Sequence, residues 1–481
     1  MQRQLIWFRQ DLRIQDHAAL WHATQSGHTT ALIILSPEQW RIHHDAPIKI
    51  DFYLRQIEQL KHSLESLNIP LIIKIIPLWK DLTQEFLKLC HDLNIENVHA
   101  NIECGVNELN RDFQIQKALN QHHKDLILHH DRSIFPIGSI RNKSNQPYQV
   151  FGAFKKYCYE QLSISIPHCY PEPEIQPPIT LEKLDHLEIV NHSNIPTLSD
   201  LGFHDDINHE NAHYPVGEKY AHELLDQFIE DQVQHYQAER DFPNIQGTSQ
   251  LSAYLNIGIL SIRQCLNALF RDQQGYFHID NIGQQTWLDE LLWREFYQHI
   301  LFDFPRISKH LPFKETTQKL QWRDAPEDLK AWQMGLTGIP IVDAGMRQLL
   351  HTGWMHNRVR MIVAMFLTKN LLIDWRLGEQ WFMQHLIDGD LAANNGGWQW
   401  CASTGTDSVP YFRIFNPISQ SQRFDTQGDY IRQWVPELAH LDAKSIHEPY
   451  AKHLNIELNY PKPIVDLKQS RIRAIEAFKQ L

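Results

Sequence analysis

Leu5-Ile-Trp-Phe-Arg-Gln-Asp-Leu-Arg-Ile-Gln-Asp16 begins as an apolar strand and runs directly into a charged turn that contains no glycine. Further strand-like runs follow at Ala31-Leu-Ile-Ile-Leu, Leu71-Ile-Ile-Lys-Ile-Ile and Val98-His-Ala. Between them, helical spacing predicts helices near Ile48 to Leu67, Asp81 to Leu93 and Asn107 to Leu119. Strand and helix in alternation predict a doubly wound parallel sheet of Rossmann-like type over residues 1–130. A dinucleotide approaches such a sheet through a glycine-rich turn after the first strand. Arg9 to Asp16 offers no such turn, so any dinucleotide is expected elsewhere in the chain.

At 481 residues the chain exceeds one ordinary core, and about 150 residues per domain predicts two or three domains. No window approaches the ~18 unbroken apolar residues of a membrane span. The start meets charge at Arg3, Arg9 and Asp11, so no secretory signal and no membrane association are expected. The six cysteines form no Cys-x-x-Cys pair, which points away from zinc and disulfides and toward a reducing cytoplasm. Histidines are abundant, with doublets at His43-His44, His122-His123 and His129-His130, but no metal-ligand spacing appears. Solvated or capping roles are expected for those doublets, and no metal. The net charge of -12 argues against general nucleic-acid binding, yet Gly338 to Trp434 holds eight basic and eight acidic residues. A local positive groove is therefore compatible with an acidic chain.

From Pro167 to Pro215 the composition turns to Pro, His, Asn and Asp with weak periodicity, and 131–215 is read as a long interdomain connector. Residues 216–481 carry helical spacing throughout, predicting an all-α C-terminal domain. Ten of the fourteen tryptophans lie between Trp287 and Trp434. The densest stretch, Asp388-Gly-Asp-Leu-Ala-Ala-Asn-Asn-Gly-Gly-Trp-Gln-Trp400, combines carboxylates, amides and two indoles, a mixture suited to a redox cofactor as well as to an aromatic core. If Leu391 to Trp400 is helical, Asn394 and Trp398 share a face and Trp400 points about 200° around from Trp398. Gly396-Gly397 weakens that helix.

Gly247-Thr-Ser-Gln-Leu-Ser252 places three hydroxyls at a predicted helix start, either as an anion seat or as ordinary N-capping. In Trp287-Leu-Asp-Glu-Leu-Leu-Trp-Arg-Glu-Phe-Tyr297, helical spacing groups Trp287, Glu290 and Arg294, with Trp293 beside them. Glu290 either reads a heterocycle edge or pairs with Arg294 along the helix. In Trp354-Met-His-Asn-Arg-Val-Arg-Met361, Asn357 and Met361 share a face flanked by Arg358 and Arg360, an arrangement that suits base and phosphate contact.

Read together, Trp7-Phe-Arg-Gln-Asp-Leu-Arg13, Gly247-Thr-Ser-Gln-Leu-Ser252, Trp354-Met-His-Asn-Arg358 and Asp388 to Trp400 resemble the DNA photolyase and cryptochrome family. The resemblance runs nearly end to end and is narrowest to bacterial class I cyclobutane pyrimidine dimer photolyases. It implies an α/β antenna-binding domain joined by the long linker to an all-α C-terminal domain that binds FAD and DNA. By resemblance, Tyr236, Thr248, Ser249, Gln250, Leu251, Ser252, Trp287, Asp388, Gly389 and Asp390 contact FAD. Asn394 would face the flavin N5, where an amide can serve either protonation state. Trp398, Trp375 and Trp322 match the family's electron-transfer chain. Glu290, Trp293, Asn357, Met361 and Trp400 match the pocket for a flipped dimer, while Arg240, Arg294, Arg358, Arg360 and Arg413 would grip phosphates. His43, Asn107, Glu108 and Lys309 match residues that bind 5,10-methenyltetrahydrofolate in folate-type relatives.

The implied activity is light-driven repair of pyrimidine dimers in UV-damaged DNA by a monomer. The antenna passes excitation to reduced FAD, one electron goes to the extruded dimer, both cyclobutane bonds open, and the electron returns. Glu290 would stabilise the dimer radical anion by hydrogen bonding. A dimer that pairs poorly is cheaper to extrude than an intact base. Six-four photolyases carry a His pair where this chain reads His356-Asn357, which favours cyclobutane dimers. A cryptochrome-type blue-light signalling protein is the alternative, opposed by Asn394, where cryptochromes more often place Asp or Cys, and by the absence of a polar tail before Leu481.

Overall fold

The computed structural model describes residues 2–179, 195–204, 214–452 and 458–481. Of the expected connector, residues 180–194 and 205–213 lie outside the described residues. Five parallel strands, β1 (Arg3–Phe8), β2 (His28–Leu35), β3 (Leu71–Ile75), β4 (Asn97–Asn101) and β5 (Asp125–His129), form one sheet in the order β3-β2-β1-β4-β5. Strands β1 and β2 are almost wholly buried because helices cover both sheet faces. The predicted helices appear as Pro47–Ser66, Leu82–Asp92 and Val106–Asn120. Strand β5 escaped sequence reading because it forms an edge, where Asp125 and Ile127 are exposed and no continuous apolar run is needed.

In this order the sheet reverses between β1 and β4, the crevice where open α/β sheets usually hold ligands. Here the crevice is filled by protein. Arg9 pairs with Asp112 at 2.7 Å, Arg111 with Glu103 at 2.7 Å, and both guanidinium groups lie on the Trp7 ring at 4.0 and 4.9 Å. The cavities left there measure about 20 and 70 Å³. On the other side of the turn the helical half presses in: a Cβ on Gly258, at φ +73°, would stand 2.5 Å from Asp11 Cα. The glycine missing from the first turn thus stands in the partner segment, and it admits backbone rather than a phosphate.

A buried charge network joins the halves. Asp131 accepts from Arg13 and Arg263, each at 2.6 Å, and Asp16 accepts from Arg263 at 2.9 Å. Burial opposes the charge on Asp131, but the two guanidinium groups outweigh it and hold the carboxyl well below its usual range. One apolar core runs from Ile6 and Phe8 through Phe52 to Leu251, Trp287 and Phe296, so the sheet and the first helices of the C-terminal half share an interior. Within the expected connector, helix Phe151–Ile164 packs on the long helix Ile282–Asp303.

Beyond residue 216 every regular element among the described residues is helical. Helix Pro340–Thr352 stops where Gly353 turns left-handed, and Asn357–Met365 then starts with His356 Nδ1 accepting from Arg358 N at 3.2 Å. Trp375–His385 is capped by Asp374 and Leu391–Ala402 by Asp390. The last helix forms despite Gly396-Gly397. A Cβ on Gly396 would lie 2.3 Å from the Tyr297 ring, so that glycine lets two helices approach closely. Its missing side chain costs about 1 kcal/mol in helix propensity, offset by burial of the tyrosine ring.

Candidate functional site

Helix Leu391–Ala402 lies at the centre of the site, and its first turn is held from three directions. Asp390 accepts from Ala393 N at 2.8 Å as the cap, while its carboxylate also takes Arg132 Nη2 at 2.6 Å and Gln298 Nε2 at 3.2 Å. Burial alone would raise this carboxyl, but Arg132 and Arg294 reverse the shift and bring it to about 2. Gly389 O accepts from Lys49 Nζ at 2.9 Å and Asn256 Nδ2 at 3.1 Å. Asp388 pairs with Arg360 at 2.9 Å, and Arg360 Nε is spent on Met355 O at 2.7 Å. The sheet domain therefore supplies Lys49, and the segment just after it Arg132, to a turn some 340 and 258 residues away.

Along the helix, Asn395, Trp398 and Gln399 point inward and are buried, whereas Ala393 is exposed and Asn394, Gly397 and Trp400 are partly exposed. Asn394 Nδ2 donates to Glu379 O at 2.9 Å, which leaves Oδ1 as the free end of the amide. A Cβ on Gly397 would meet nothing within 4 Å. A helix central to the domain thus shows an open face of small residues beside one amide oxygen.

Glu290 does not pair with Arg294, as the intrahelical alternative would have it. Its partner is Arg240, 2.5 Å away from outside the helix. Burial raises the Glu290 carboxyl against the opposing Arg240 charge. Arg294 turns to the interior, where Nη1 donates to Arg132 O at 2.8 Å, and burial together with Arg132 lowers its pKa. It makes no ion pair among the described residues, leaving a cation beside Asp390 and Arg132. Trp287 and Tyr236 meet through Phe228, at 5.2 and 5.7 Å between ring centroids. Trp293 stacks on Phe151 at 3.7 Å and 11° and keeps part of its indole exposed. Asn357 is exposed at the start of its helix, and Met361, one turn on, meets the Cys401 thiol through its carbonyl. Arg358 pairs with Asp241 at 2.8 Å, and Arg413 stands exposed on a surface turn without an ion pair among the described residues.

The hydroxyl turn departs from expectation. Helix Ser252–Asn256 has only five residues and no side-chain cap, so ordinary N-capping is not what Thr248, Ser249 and Ser252 do. Their hydroxyls make no hydrogen bond to the protein among the described residues. The turn is anchored instead by buried Leu251 and by Gly247, where a Cβ would lie 2.6 Å from Glu239 Cβ.

Trp398 and Trp375 are buried in one apolar cluster, with Trp322 half-buried at its edge. Trp398 also meets Phe382 at 5.0 Å and Trp332 at 5.9 Å. His43, Asn107, Glu108 and Lys309 line a single interdomain cleft of about 590 Å³, together with His44, His310, Arg376 and Glu379. Asn107 Nδ2 lies 3.1 Å from His43 Nε2, and burial with the nearby Glu103 charge pushes Glu108 up to about 7. His129 departs from the expected solvated or capping role: it stacks on His99 at 5.3 Å, which β4 and β5 bring alongside, and on His22 of helix Ala18–Ser26 at 4.6 Å.

Lys49, Arg132, Phe151, Gln298 and Glu379 were missed in the sequence. Each acts across a long chain separation, and none carries a local motif. Among the described residues no group of His, Cys, Asp or Glu could hold a metal ion, and no helix is long and apolar enough to cross a membrane.

Two family models match the chain: DNA photolyase over residues 4–175, and the FAD binding domain of DNA photolyase over 287–480. The chain is 41% identical to the deoxyribodipyrimidine photo-lyase of Escherichia coli, covering 100% of this chain and 99% of that one. Among solved structures, a class III photolyase from Agrobacterium tumefaciens matches with TM-score 0.83 and 33% identity, covering 100% of this chain and 98% of that one. A Synechocystis cryptochrome matches with TM-score 0.85 and 28% identity over 99% of both chains.

Proposed function

Since the chain belongs to the DNA photolyase family, we propose that it repairs cyclobutane pyrimidine dimers in DNA under light, with FAD against the open face of helix Leu391–Ala402. The observation that carries this reading is that open face, where Ala393 and Gly397 leave room beside an Asn394 Oδ1 that has no partner among the described residues. The donor set fits the cofactor: three unpartnered hydroxyls at Thr248, Ser249 and Ser252, and the unpaired Arg294 guanidinium, suit its pyrophosphate and isoalloxazine anion. When bound, FAD would supply the light-driven one-electron chemistry of the repair.

The protein's own residues bind, orient and exclude water. Asn394, with Nδ2 fixed on Glu379 O, accepts through Oδ1 and so favours a protonated flavin nitrogen. Tyr236, Gln250, Leu251, Trp287, Asp388, Gly389 and Asp390 shape the rest of the cofactor site. Glu290 has one oxygen on Arg240 and a second without a partner among the described residues, and its carboxyl, raised by burial, suits hydrogen bonding to the extruded dimer. Trp293, backed by Phe151, and Trp400 cover the dimer, with Asn357 and Met361 on the facing helix. Arg240, Arg358 and Arg413 contact flanking phosphates. Arg360 and Arg294 take inner roles instead, the first securing Asp388 and the second serving the cofactor. Trp398, Trp375 and Trp322 carry electrons from the surface.

For the antenna, the filled crevice at the sheet's switch point favours the 590 Å³ cleft, and with it a folate held by His43, Asn107, Glu108 and Lys309. The antenna domain spans 1–130 and the catalytic domain 216–481, acting as a monomer in the cytoplasm. The test is mass spectrometry of UV-irradiated thymine oligonucleotide after illumination with purified, reduced protein. Loss of cyclobutane dimers is expected. Conversion of six-four products alone, or equal binding of damaged and intact DNA without repair, would replace this reading with a six-four enzyme or a signalling cryptochrome respectively.

A further inference from the structure

We propose that His310 is a positioning residue for the flavin site: it holds the Glu379 carboxylate, which anchors Asn395 next to Asn394 on the central helix and sets the charge beside the cofactor. The inference rests on the reading that FAD sits against Asn394. Glu379 is 1% exposed, yet its carboxylate has only two partners. Oε1 accepts from Asn395 Nδ2 at 2.8 Å, and Oε2 meets His310 Nδ1 at 2.8 Å. The backbone carbonyl of the same residue accepts from Asn394 Nδ2 at 2.9 Å. Asn395 Oδ1 in turn accepts from Gln399 Nε2 at 2.8 Å. One buried residue thus anchors two adjacent side chains of the central helix, Asn395 through its carboxylate and Asn394 through its backbone carbonyl, and the carboxylate's only ion-pair partner among the described residues is a histidine whose side chain is half exposed in the interdomain cleft.

His310 closes the short turn Ile307–Lys309 in a left-handed conformation at φ 55°, a region that histidine enters more readily than most non-glycine residues. Arg376 Nε fixes it there by donating to His310 O at 2.7 Å. The charged and titratable groups facing His310 are Glu379 and Arg376 from helix Trp375–His385, His44 from the sheet domain, and Lys309 from its own turn. Arg376 is neutralised by Asp374 at 3.0 Å. The hydrogen bond to Glu379 raises the His310 pKa, with burial opposing. Protonated, His310 gives the Glu379 carboxylate a counter-charge; deprotonated, it withdraws that charge next to the helix carrying Asn394, which opposes reduction of a flavin seated there. By linkage, reduction of the flavin must tighten proton binding at His310.

The test is a spectroelectrochemical titration of the holoprotein between about pH 5 and 9, since histidines ordinarily titrate between about pH 5 and 8 and the bond to Glu379 moves His310 upward. Wild type should show a downward step in flavin midpoint potential as His310 deprotonates. His310→Asn keeps a neutral donor and tolerates positive φ, so it should retain FAD and lose the step. Glu379→Gln should shift the step to lower pH and shrink it. A wild-type profile without a step overturns the proposal, as does a step that survives H310N or stays unmoved in E379Q. If wild type holds no FAD, the functional reading fails instead.

Discussion

Two glycine-to-alanine substitutions separate helix propensity from packing. Gly378 and Gly397 both lie inside helices, and propensity alone predicts that alanine stabilises each by about 1 kcal/mol. The structure predicts opposite outcomes. A Cβ at 378 would stand 2.1 Å from Trp398 Cη2 and 2.7 Å from Leu367 Cδ2, both fully enclosed, whereas a Cβ at 397 meets open space. Overpacking of a closed core costs about 1–3 kcal/mol. Gly378→Ala should therefore come out neutral to about 2 kcal/mol less stable, and Gly397→Ala about 1 kcal/mol more stable. Urea unfolding of the FAD-free proteins, with unchanged m-values as the control, measures the difference. A G378A protein as stable as G397A would show that Trp398 is not seated against that helix. In the loaded proteins G378A should also slow photoreduction, because the displaced indole is the proposed first electron donor to the flavin.

Replacing Trp322 by Phe should block photoreduction of oxidised FAD and leave repair by chemically reduced protein largely intact; parallel loss of both would place Trp322 outside the electron path. Glu290→Ala should lower repair yield per photon severalfold with FAD content unchanged, read from dimer loss against flavin absorbance, and loss of FAD would instead make Glu290 a cofactor residue. For Asp390 the folded pKa of about 2 lies below the unfolded value of about 3.9. Its stabilisation is therefore full above pH 4 and lost as pH falls toward 2, on the order of 2 kcal/mol. Asp390→Asn should flatten the acid limb of the FAD-free stability profile, and an unchanged limb would mean that Arg132 does not hold the carboxylate.

Strands β1 to β4 and their helices were legible because apolar periodicity reports burial, which a parallel sheet enforces on both faces. Edge strand β5 was not, since its half-exposed pattern resembles a loop. The missing glycine after β1 correctly diverted the search for a dinucleotide site, but nothing local announced Gly258 as the residue that fills the space. In the site, helical spacing grouped Trp287, Glu290 and Arg294 and offered Arg294 as one of two alternatives for Glu290, because a partner four residues away is visible in the sequence and Arg240, fifty residues away, is not. The hydroxyl turn looked like a helix cap because capping residues and ligand-binding hydroxyls share a composition. Lys49, Arg132 and Glu379 left no signal: a buried polar contact between distant segments obeys no spacing rule.

The shared interior of sheet and helices has an optical meaning. Excitation transfer between pigments weakens steeply with separation and depends on mutual orientation, so a hinge between the halves would scatter its efficiency from molecule to molecule. Arg263 clamped between Asp16 and Asp131, Gly258 pressed on Asp11, and an apolar seam from Phe8 to Phe296 remove that freedom. Any chromophore seated in the cleft therefore views the central helix at one fixed distance and angle.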